Sequence, residues 1–145
     1  MQSLTALFAT HPQRPPHSSL IEACAAACYE CGGMCVACSD ACLGEAHVAD
    51  LVCCIRTCLD SADVCLATAR IVSRLTKPSP MVMEAHLMAC AETCRICAAE
   101  CERHAGAHEH CHVCAEACHA CEHACRALLH GALLPGEAET MTRRV

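Results

Sequence analysis

The cysteines of this chain follow a single spacing rule. All of the 19 cysteines except Cys53 fall on a register of alternating three- and four-residue steps. Steps of this size place side chains on one face of an α-helix. The residues on the register form four runs, so the spacing predicts four helices whose inner faces carry sulfur where leucine is usual. In chain order these residues are Cys24, Cys28, Cys31, Cys35, Cys38 and Cys42; Cys54, Cys58 and Cys65; Cys90, Cys94, Cys97 and Cys101; and Cys111, Cys114, Cys118, Cys121 and Cys125.

Turn and capping signals set the expected ends of these helices. Residues 19–22 (Ser-Leu-Ile-Glu) match a capping box, which predicts a helix start at Ser19. Ser79 followed by Pro80 is typical of another start, because proline fits the first helical turn. The four helices are therefore predicted over residues 19–44, 46–75, 80 to 104–106, and 108–131.

The connections between the predicted helices are short, which makes consecutive helices antiparallel neighbours. The predicted fold is all-α: an antiparallel, up-down-up-down four-helix bundle with a cysteine-lined core. We expect the bundle over residues 17–131, an N-terminal extension over 1–16 with a short extra helix at 3–9, and a loose C-terminal tail over 132–145.

The composition excludes several ordinary classes of protein. Although 54% of the residues count as hydrophobic, the chain has one Phe, one Tyr and no Trp. Aromatic residues dominate the energetics of ordinary cores. A conventional aromatic-cored enzyme domain is therefore excluded, and sulfur and small side chains must fill the interior. The net charge of −6, without a Lys/Arg stripe, argues against nucleic-acid binding.

Signals for export or membrane insertion are missing from the sequence. No apolar segment approaches the roughly 18 residues of a membrane span. The short apolar stretch after Met1 has no positive residue before it and is soon followed by Pro12, so it differs from a secretory signal. We therefore expect a cytoplasmic protein without membrane contact, in a compartment that keeps thiols reduced.

Packing, disulfide bonding and metal binding are the roles open to these thiols. A few buried cysteines pack as small hydrophobes, but packing does not explain a register of this length. Disulfides within a helix fit poorly, because cysteines three or four apart have Cβ atoms about 5–6 Å apart and a disulfide needs about 3.5–4.5 Å. Disulfides between helices stay open. Metal fits best, since sulfur–metal bonds of about 2.3 Å let i,i+4 cysteines share one ion.

Charge selects among the soft metals that thiolates bind. The candidates are Cu(I), Zn(II), iron–sulfur clusters and Cd(II). Ionised thiols buried in a bundle need compensating cations. One Cu(I) per thiolate neutralises the site, whereas tetrahedral zinc with four thiolates leaves each site doubly negative. We therefore expect many Cu(I) ions, about one per cysteine, with proton release on loading and weaker binding at low pH.

The predicted bundle carries histidines at one end. Antiparallel packing brings His47, His104, His108, His110 and His112 together there. His104 continues the cysteine register and is expected to point inward. Together with His108 it is a candidate for receiving incoming copper. For His110 and His112, a solvated turn is an equally good explanation.

The opposite end is expected to be closed by hydrocarbon. Methionines in helices commonly fill gaps, so we predict this role, rather than thioether ligation, for Met81, Met83 and Met88. The side chains expected to plug the bundle are Ile21, Val72, Leu75, Met83, Leu87 and Leu128. Three histidines lie off the register and are expected to be exposed: His112, His119 and His123.

Two positions depart from the pattern. Ser61 stands where the second run would have a cysteine, which predicts a gap or an altered ligand set in the column of thiols. Cys53 lies off the register. It is either a ligand at the histidine end or a packed thiol.

The register of Cys-x-x-x-Cys and Cys-x-x-Cys steps on four helices resembles the bacterial copper storage proteins, in particular the cytosolic branch without an export signal. Residues 111–121 (CHVCAEACHAC) look particularly like the last helix of that family, and the resemblance spans residues 17–129. It implies a four-helix bundle that holds many Cu(I) ions, mainly through cysteine thiolates. It also implies copper entry at a histidine-bearing end and assembly into a homotetramer.

Other interpretations stay open at this point. A zinc or cadmium buffer of the metallothionein type would use the same thiols. An iron–sulfur protein would place its cysteines on loops around a cluster, and a thiol-redox enzyme would need one low-pKa pair. The sequence has no phosphate-binding glycine loop, nucleophile elbow or His-Glu-x-x-His motif, so we do not expect an enzyme. The expected partners are copper ions and a copper donor or acceptor protein.

Overall fold

Five α-helices make up most of residues 2–133, the part of the chain that the structure, a computed structural model, describes. A 3₁₀ turn at Val48–Leu51 leads into the third helix, and a π-helical turn at Leu129–Leu133 extends the last. The predicted tail from residue 134 onward lies outside the described residues. The helices are α1 (Gln2–Ala9), α2 (Ser18–Leu43), α3 (Val52–Val72), α4 (Pro80–His104) and α5 (Glu109–Leu128).

Helices α2 to α5 form the predicted antiparallel four-helix bundle. Each packs against its neighbour in the chain, and α2 also packs against α5, which closes the ring. The described residues contain no β-strand. The close approach of α2 and α3 depends on Gly32, where a Cβ atom would lie only 2.7 Å from Cγ of Leu66. The all-α bundle and the short extra N-terminal helix are confirmed.

The predicted capping box at the start of α2 is wrong. The N-cap is His17, in the left-handed region at φ 62°, and Ser19 lies inside the first turn. The His17 carbonyl accepts from the Leu20 and Ile21 amides at 2.9 and 3.1 Å. The backbone turn after Pro16 thus starts the helix without help from a serine side chain, because the first amides are already satisfied.

Helix α3 is shorter than predicted at both ends. Its α-helical part begins at Val52, after the 3₁₀ turn, rather than near Ala46. It ends at Val72 rather than Leu75, and the Ser73 hydroxyl donates to the Ala69 carbonyl at 2.7 Å. Such a side-chain bond competes with the backbone ladder and favours a helix end.

The starts of α4 and α5 agree with the predictions. Ser79 is the N-cap of α4 with Pro80 in the first turn, and the Ser79 carbonyl accepts from the Met83 amide at 3.0 Å. His108 is the N-cap of α5 in an extended conformation. Helix α5 keeps α-helical geometry only to Leu128 and then widens into the π-helical turn.

The core of the bundle consists of cysteines flanked by small residues. Every cysteine on the register is buried, and alanines such as Ala25, Ala62 and Ala98 fill the spaces between helices. Among the described helices, α2 alone is long and apolar enough by composition to cross a membrane. Its apolarity comes largely from cysteine and alanine, and its cysteine face packs inside the bundle.

Helix α1 lies over the hydrocarbon end of the bundle. Phe8, the only phenylalanine of the chain, is 5% exposed. It lines a cleft together with Tyr29 of α2 and Leu75 of the α3–α4 connection. The extension thus packs beside the hydrocarbon end of the bundle.

Candidate metal site

A column of free thiols runs along the axis of the bundle. Each register cysteine is 0–2% exposed, and none forms a disulfide. The sulfurs contact one another across helices, for example Cys24 and Cys125 at 3.8 Å and Cys54 and Cys101 at 3.6 Å. We call this set of buried cysteines the thiol column.

The sulfurs of the thiol column gather in overlapping groups of four. Within each group all Sγ atoms lie within 4.8 Å of one another. Some of these groups share members: Cys121 belongs to two of them, and Cys38 and Cys54 both belong to another two. Five of the groups are Cys28, Cys90, Cys121 and Cys125; Cys31, Cys65, Cys94 and Cys121; Cys35, Cys97, Cys114 and Cys118; Cys38, Cys54, Cys58 and Cys101; and Cys38, Cys42, Cys54 and Cys111.

Cysteines one turn apart on a helix also meet. Cys24 and Cys28 have sulfurs 4.0 Å apart, and Cys31 and Cys35 have sulfurs 3.9 Å apart. Two bonds of about 2.3 Å span at most about 4.6 Å. Both pairs therefore lie within reach of one shared ion, as the spacing predicted, and the cross-helix contacts add further bridging positions.

The thiols differ in how readily they lose a proton. Burial raises the pKa of Cys42 to about 12, helped by the neighbouring sulfur of Cys54. Burial also raises the pKa of Cys111. Hydrogen bonds from Cys125 and Cys28 lower the pKa of Cys24 to about 5. Because a thiol that donates to a neighbouring sulfur stabilises a thiolate there, protons and negative charge are shared along the column.

Two register positions of α3 carry a hydroxyl side chain instead of a thiol, and one cysteine of α3 lies off the register. Ser61 is fully buried in the thiol column, where the sequence predicted the gap. Thr68, the next register position of α3, is also fully buried and donates to the Val64 carbonyl at 2.8 Å. Cys53 is exposed, so it is neither packed in the core nor part of the thiol column.

The histidine end of the column, which we call the mouth, is organised by His110. Its Nδ1 lies 3.5 Å from Cys111 Sγ, 3.6 Å from Cys38 Sγ and 4.0 Å from Cys42 Sγ. Its Nε2 lies 3.1 Å from Glu45 Oε1. An imidazole held by a carboxylate on one nitrogen and facing ligand atoms with the other is the usual arrangement at metal sites.

Glu45 joins two histidines of the mouth. Its Oε1 also lies 3.0 Å from His108 Nδ1, and the two imidazole centroids are 5.4 Å apart. Hydrogen bonds from His110 and His108 lower the pKa of Glu45. Burial acts to lower the pKa of His110, but the contacts with Cys38 and Glu45 outweigh it and raise that pKa.

The other histidines near the mouth are placed differently. His104 is partly buried, and its Nε2 lies 3.2 Å from Glu100 Oε1, one turn earlier on α4. It is thus held beside a carboxylate rather than against a thiol. His47 and His112 are exposed. Exposure is also confirmed for His119, whose Nε2 lies 2.6 Å from Glu102 Oε1, and for His123.

Hydrocarbon closes the opposite end, which we call the plug. Leu87 and Leu128 are fully buried there. The gap-filling role is confirmed for Met83, which is 6% exposed, but it is wrong for Met81 and Met88, which are 81% and 58% exposed. These two methionines lie on outer faces of α4, where no gap exists to fill. The plug consists of Ile21, Val72, Leu75, Met83, Leu87 and Leu128, all buried.

Comparison with known proteins identifies the family. A family model described as copper storage protein (Csp) matches residues 17–130. The chain belongs to the copper storage protein family. A search of the curated proteins finds no match.

Solved structures of one member of the copper storage protein family share this fold. The copper storage protein Ccsp from Streptomyces lividans, in a structure loaded with 10 copper equivalents, is 49% identical over 88% of this chain and 98% of that chain, with a TM-score of 0.85. A structure of the cytosolic copper storage protein from Streptomyces lividans with five coppers is 54% identical over 78% and 94%, with a TM-score of 0.77. A single histidine-to-alanine variant of Ccsp is 53% identical over 78% and 94%, also at 0.77.

Sequence reasoning did not single out Glu45 or His110 as site residues. His110 immediately precedes Cys111 and therefore lies off the register. It reaches the thiols because it is in the first turn of α5, beside the end of α2. Glu45 lies in the turn after α2, where helical spacing gives no signal. The one available hint was the concentration of histidines at this end.

Proposed function

We propose that this protein stores Cu(I) ions as thiolate complexes inside the four-helix bundle. The observation that carries the proposal is the thiol column itself. Its cysteines are free and buried, and they form groups of four within which all sulfurs lie within 4.8 Å of one another. The ligands are the register cysteines in their deprotonated form. Copper here is cargo, so the capacity scales with the number of thiols and reaches about one Cu(I) per register cysteine, the ratio at which thiolate charge is neutralised.

The sharing of sulfurs between groups favours Cu(I) over separate zinc sites. Cys121 cannot serve two isolated tetrahedral zinc ions without becoming a bridge, and each zinc with four thiolates carries two negative charges. Bridging thiolates with two or three bonds per ion suit Cu(I), since soft ligands select it. Filling the column with one Cu(I) per thiolate leaves the interior without net charge.

We place the entrance for copper at the mouth. His110 presents Nδ1 to three thiols, while Glu45 holds its other nitrogen. His108 shares the same carboxylate. His104 is held by Glu100 away from the thiols, and we assign it a role in capture before His110. Because Cys53 is exposed, we remove it from the predicted ligand set.

Other properties of this protein are proposed from its membership of the copper storage protein family. We propose residues 17–131 as the storage unit, a cytoplasmic location, and binding without catalytic turnover. A copper donor or acceptor protein would dock at the mouth. We also propose a homotetramer, supported by apolar side chains such as Leu43, Leu59 and Ile96, which are 61%, 46% and 46% exposed on the single bundle. Analytical ultracentrifugation tests the assembly directly.

An anaerobic titration of the reduced apo protein with Cu(I) tests the function. The titration is run against a chromogenic Cu(I) chelator and followed by elemental analysis. We expect the protein to take up about one Cu(I) per register cysteine before the chelator gains metal. Saturation after a few ions would refute storage in the thiol column.

The groups of four cysteines could also bind zinc, so the second experiment compares the binding of Cu(I) with that of Zn(II). The Cu(I)-loaded protein is dialysed against excess Zn(II), and the zinc-loaded protein against Cu(I). We expect Cu(I) to displace zinc and not the reverse, because soft thiolate ligands bind the softer Cu(I) ion more tightly. Retention of zinc against Cu(I) would favour a zinc buffer.

A further inference from the structure

Ser61 differs from Ser39, Ser73 and Thr68 in what its hydroxyl contacts. Ser39, Ser73 and Thr68 each donate to a backbone carbonyl three or four residues earlier, at 2.7–2.8 Å. Ser61 Oγ instead lies 3.8 Å from Cys65 Sγ and 3.9 Å from Cys94 Sγ. Its hydroxyl therefore points into the thiol column, where a cysteine would have completed the register.

The thiol–thiol contacts divide into two sets at the level of Ser61. On the plug side, Cys65 contacts Cys94 at 3.4 Å and Cys90 at 3.7 Å. On the mouth side, Cys58 contacts both Cys97 and Cys101 at 3.7 Å. The plug set is Cys24, Cys28, Cys31, Cys65, Cys90, Cys94, Cys121 and Cys125. The mouth set is Cys35, Cys38, Cys42, Cys54, Cys58, Cys97, Cys101, Cys111, Cys114 and Cys118.

Cys31 links the two sets. Its sulfur lies 3.9 Å from Cys94 in the plug set, 3.9 Å from Cys35 and 3.7 Å from Cys118 in the mouth set. Within residues 2–133, the sulfur–sulfur contacts of 4.0 Å or less that cross between the sets all belong to Cys31, and a hydrogen bond between Cys94 and Cys118 also joins the sets. Between Cys58 and Cys65 the α3 side of the column has only the Ser61 oxygen.

A hydroxyl cannot replace a thiolate as a relay for Cu(I). A serine side chain stays neutral at physiological pH and offers a hard oxygen, which is a poor ligand for a soft ion. Its O–H can instead donate to the thiolate of Cys65 or Cys94, which favours the charged sulfur there. Copper that moves from sulfur to sulfur therefore loses one of its routes at this level.

We propose that Ser61 divides the thiol column into two Cu(I) compartments that exchange metal at Cys31 and at the neighbouring Cys94–Cys118 pair. The mouth compartment fills and empties directly through the histidine end. The plug compartment exchanges copper only through the mouth compartment, since hydrocarbon closes its other end. This inference rests on the proposed storage function and adds an order of filling and release to it.

The test is the kinetics of copper removal from the fully loaded protein. Loaded protein is mixed anaerobically with a large excess of a chromogenic Cu(I) chelator, and the chelator complex is followed with time. We expect a fast phase from the mouth compartment and a slow phase from the plug compartment. Ser61→Cys should gain about one Cu(I), as thiolate charge balance requires, and lose the slow phase. Ser61→Ala, which adds no sulfur, should retain both phases.

A matched pair of cysteine variants tests the link. Cys31→Ser and Cys24→Ser each remove one thiol of the plug set, but only Cys31 contacts the mouth set. We expect equal losses of capacity and a slower slow phase in Cys31→Ser alone. Circular dichroism of each apo variant checks the fold before the kinetics are compared.

The outcomes separate the two proposals. A wild-type protein that binds only a few Cu(I) ions would refute the storage function. A protein that binds many ions but releases them in one phase would overturn the division at Ser61. An unchanged slow phase in Ser61→Cys, or equal slow phases in Cys31→Ser and Cys24→Ser, would overturn it as well.

Discussion

The mouth and the plug close the same column by opposite chemistry. The plug consists of buried side chains without a titratable group, such as Leu87 and Leu128. The mouth is formed by His110, His108 and Glu45, all partly exposed and joined by hydrogen bonds. Hydrocarbon supplies stability that does not depend on metal, whereas the ionisable groups of the mouth are the proposed exchange route. The comparison therefore separates the end that stabilises the apo bundle from the end at which we propose that copper exchanges.

Truncation in the plug should have the largest effect on stability. Leu87 is fully buried, so Leu87→Ala should lower the unfolding free energy of the apo protein by about 2–5 kcal/mol. Denaturant unfolding measures the change. Met88→Ala is the matched control, because Met88 lies on the same helix and is 58% exposed. Equal losses in the two variants would show that the plug does not anchor the fold.

The thiol column should make the apo protein sensitive to alkaline pH. Burial raises the pKa of Cys42 from its ordinary value of 9.0 to about 12, and that of Cys111 is also raised. A raised folded-state pKa contributes stability that is fully present below the unfolded pKa and is lost as pH rises through the folded pKa. We therefore expect thermal stability to fall between pH 9 and pH 12. Cu(I)-loaded protein, whose thiols hold metal instead of protons, should not show this fall.

Removing both mouth histidines should slow loading without changing capacity. The double variant His108→Ala/His110→Ala should load Cu(I) about tenfold more slowly, the lower range for loss of groups that orient metal ligands. Stopped-flow mixing with a Cu(I)–chelator complex gives the rate. His112→Ala is the control, because His112 is exposed on the same helix. If His112→Ala slows loading equally, the assignment of His108 and His110 to copper entry is wrong.

The carboxylate that joins these histidines should have a smaller effect. Glu45→Gln removes the charge that, with Cys38, raises the pKa of His110. We expect that pKa to fall and loading to slow by about fivefold, equivalent to about 1 kcal/mol. An NMR titration of the apo protein reports the imidazole pKa. A rise in the His110 pKa would contradict the arrangement at the mouth.

Two adjacent cysteines at the start of α3, Cys53 and Cys54, should differ in their contribution to the Cu(I) capacity. Cys53→Ser should leave the Cu(I) capacity unchanged, because Cys53 is exposed. Cys54→Ser should lose about one Cu(I), as removal of one thiolate charge requires. Elemental analysis of the two loaded variants makes the comparison. A loss of copper in Cys53→Ser would return that residue to the ligand set.

The bundle and its sulfur face could be predicted from the sequence because one repeating constraint specifies both. A three–four register fixes which face of each helix is buried, and short connections fix the order of packing. The start of α2 could not be predicted in this way. His17 adopts a left-handed conformation, and its carbonyl accepts from the first amides of the helix. No side-chain pattern in the sequence predicts this conformation.

The mouth shows the same limit more clearly. His104 continues the register, yet its imidazole lies beside Glu100. His110 lies off the register, yet it faces three thiols. Helical spacing predicts direction only inside a regular helix. At helix ends, the side-chain rotamer and the conformation of the connecting turn determine which groups come into contact. The spacing of residues in the sequence predicts neither of them.

The most direct test of the account is a crystal structure of the fully Cu(I)-loaded protein with anomalous diffraction measured at the copper edge. We predict a row of copper peaks along the thiol column, from the level of Cys42 and Cys111 to that of Cys24 and Cys125. The peaks should stop before Leu87 and Leu128 in the plug. Copper on the outer faces of the helices, with an empty column, would contradict storage inside the bundle.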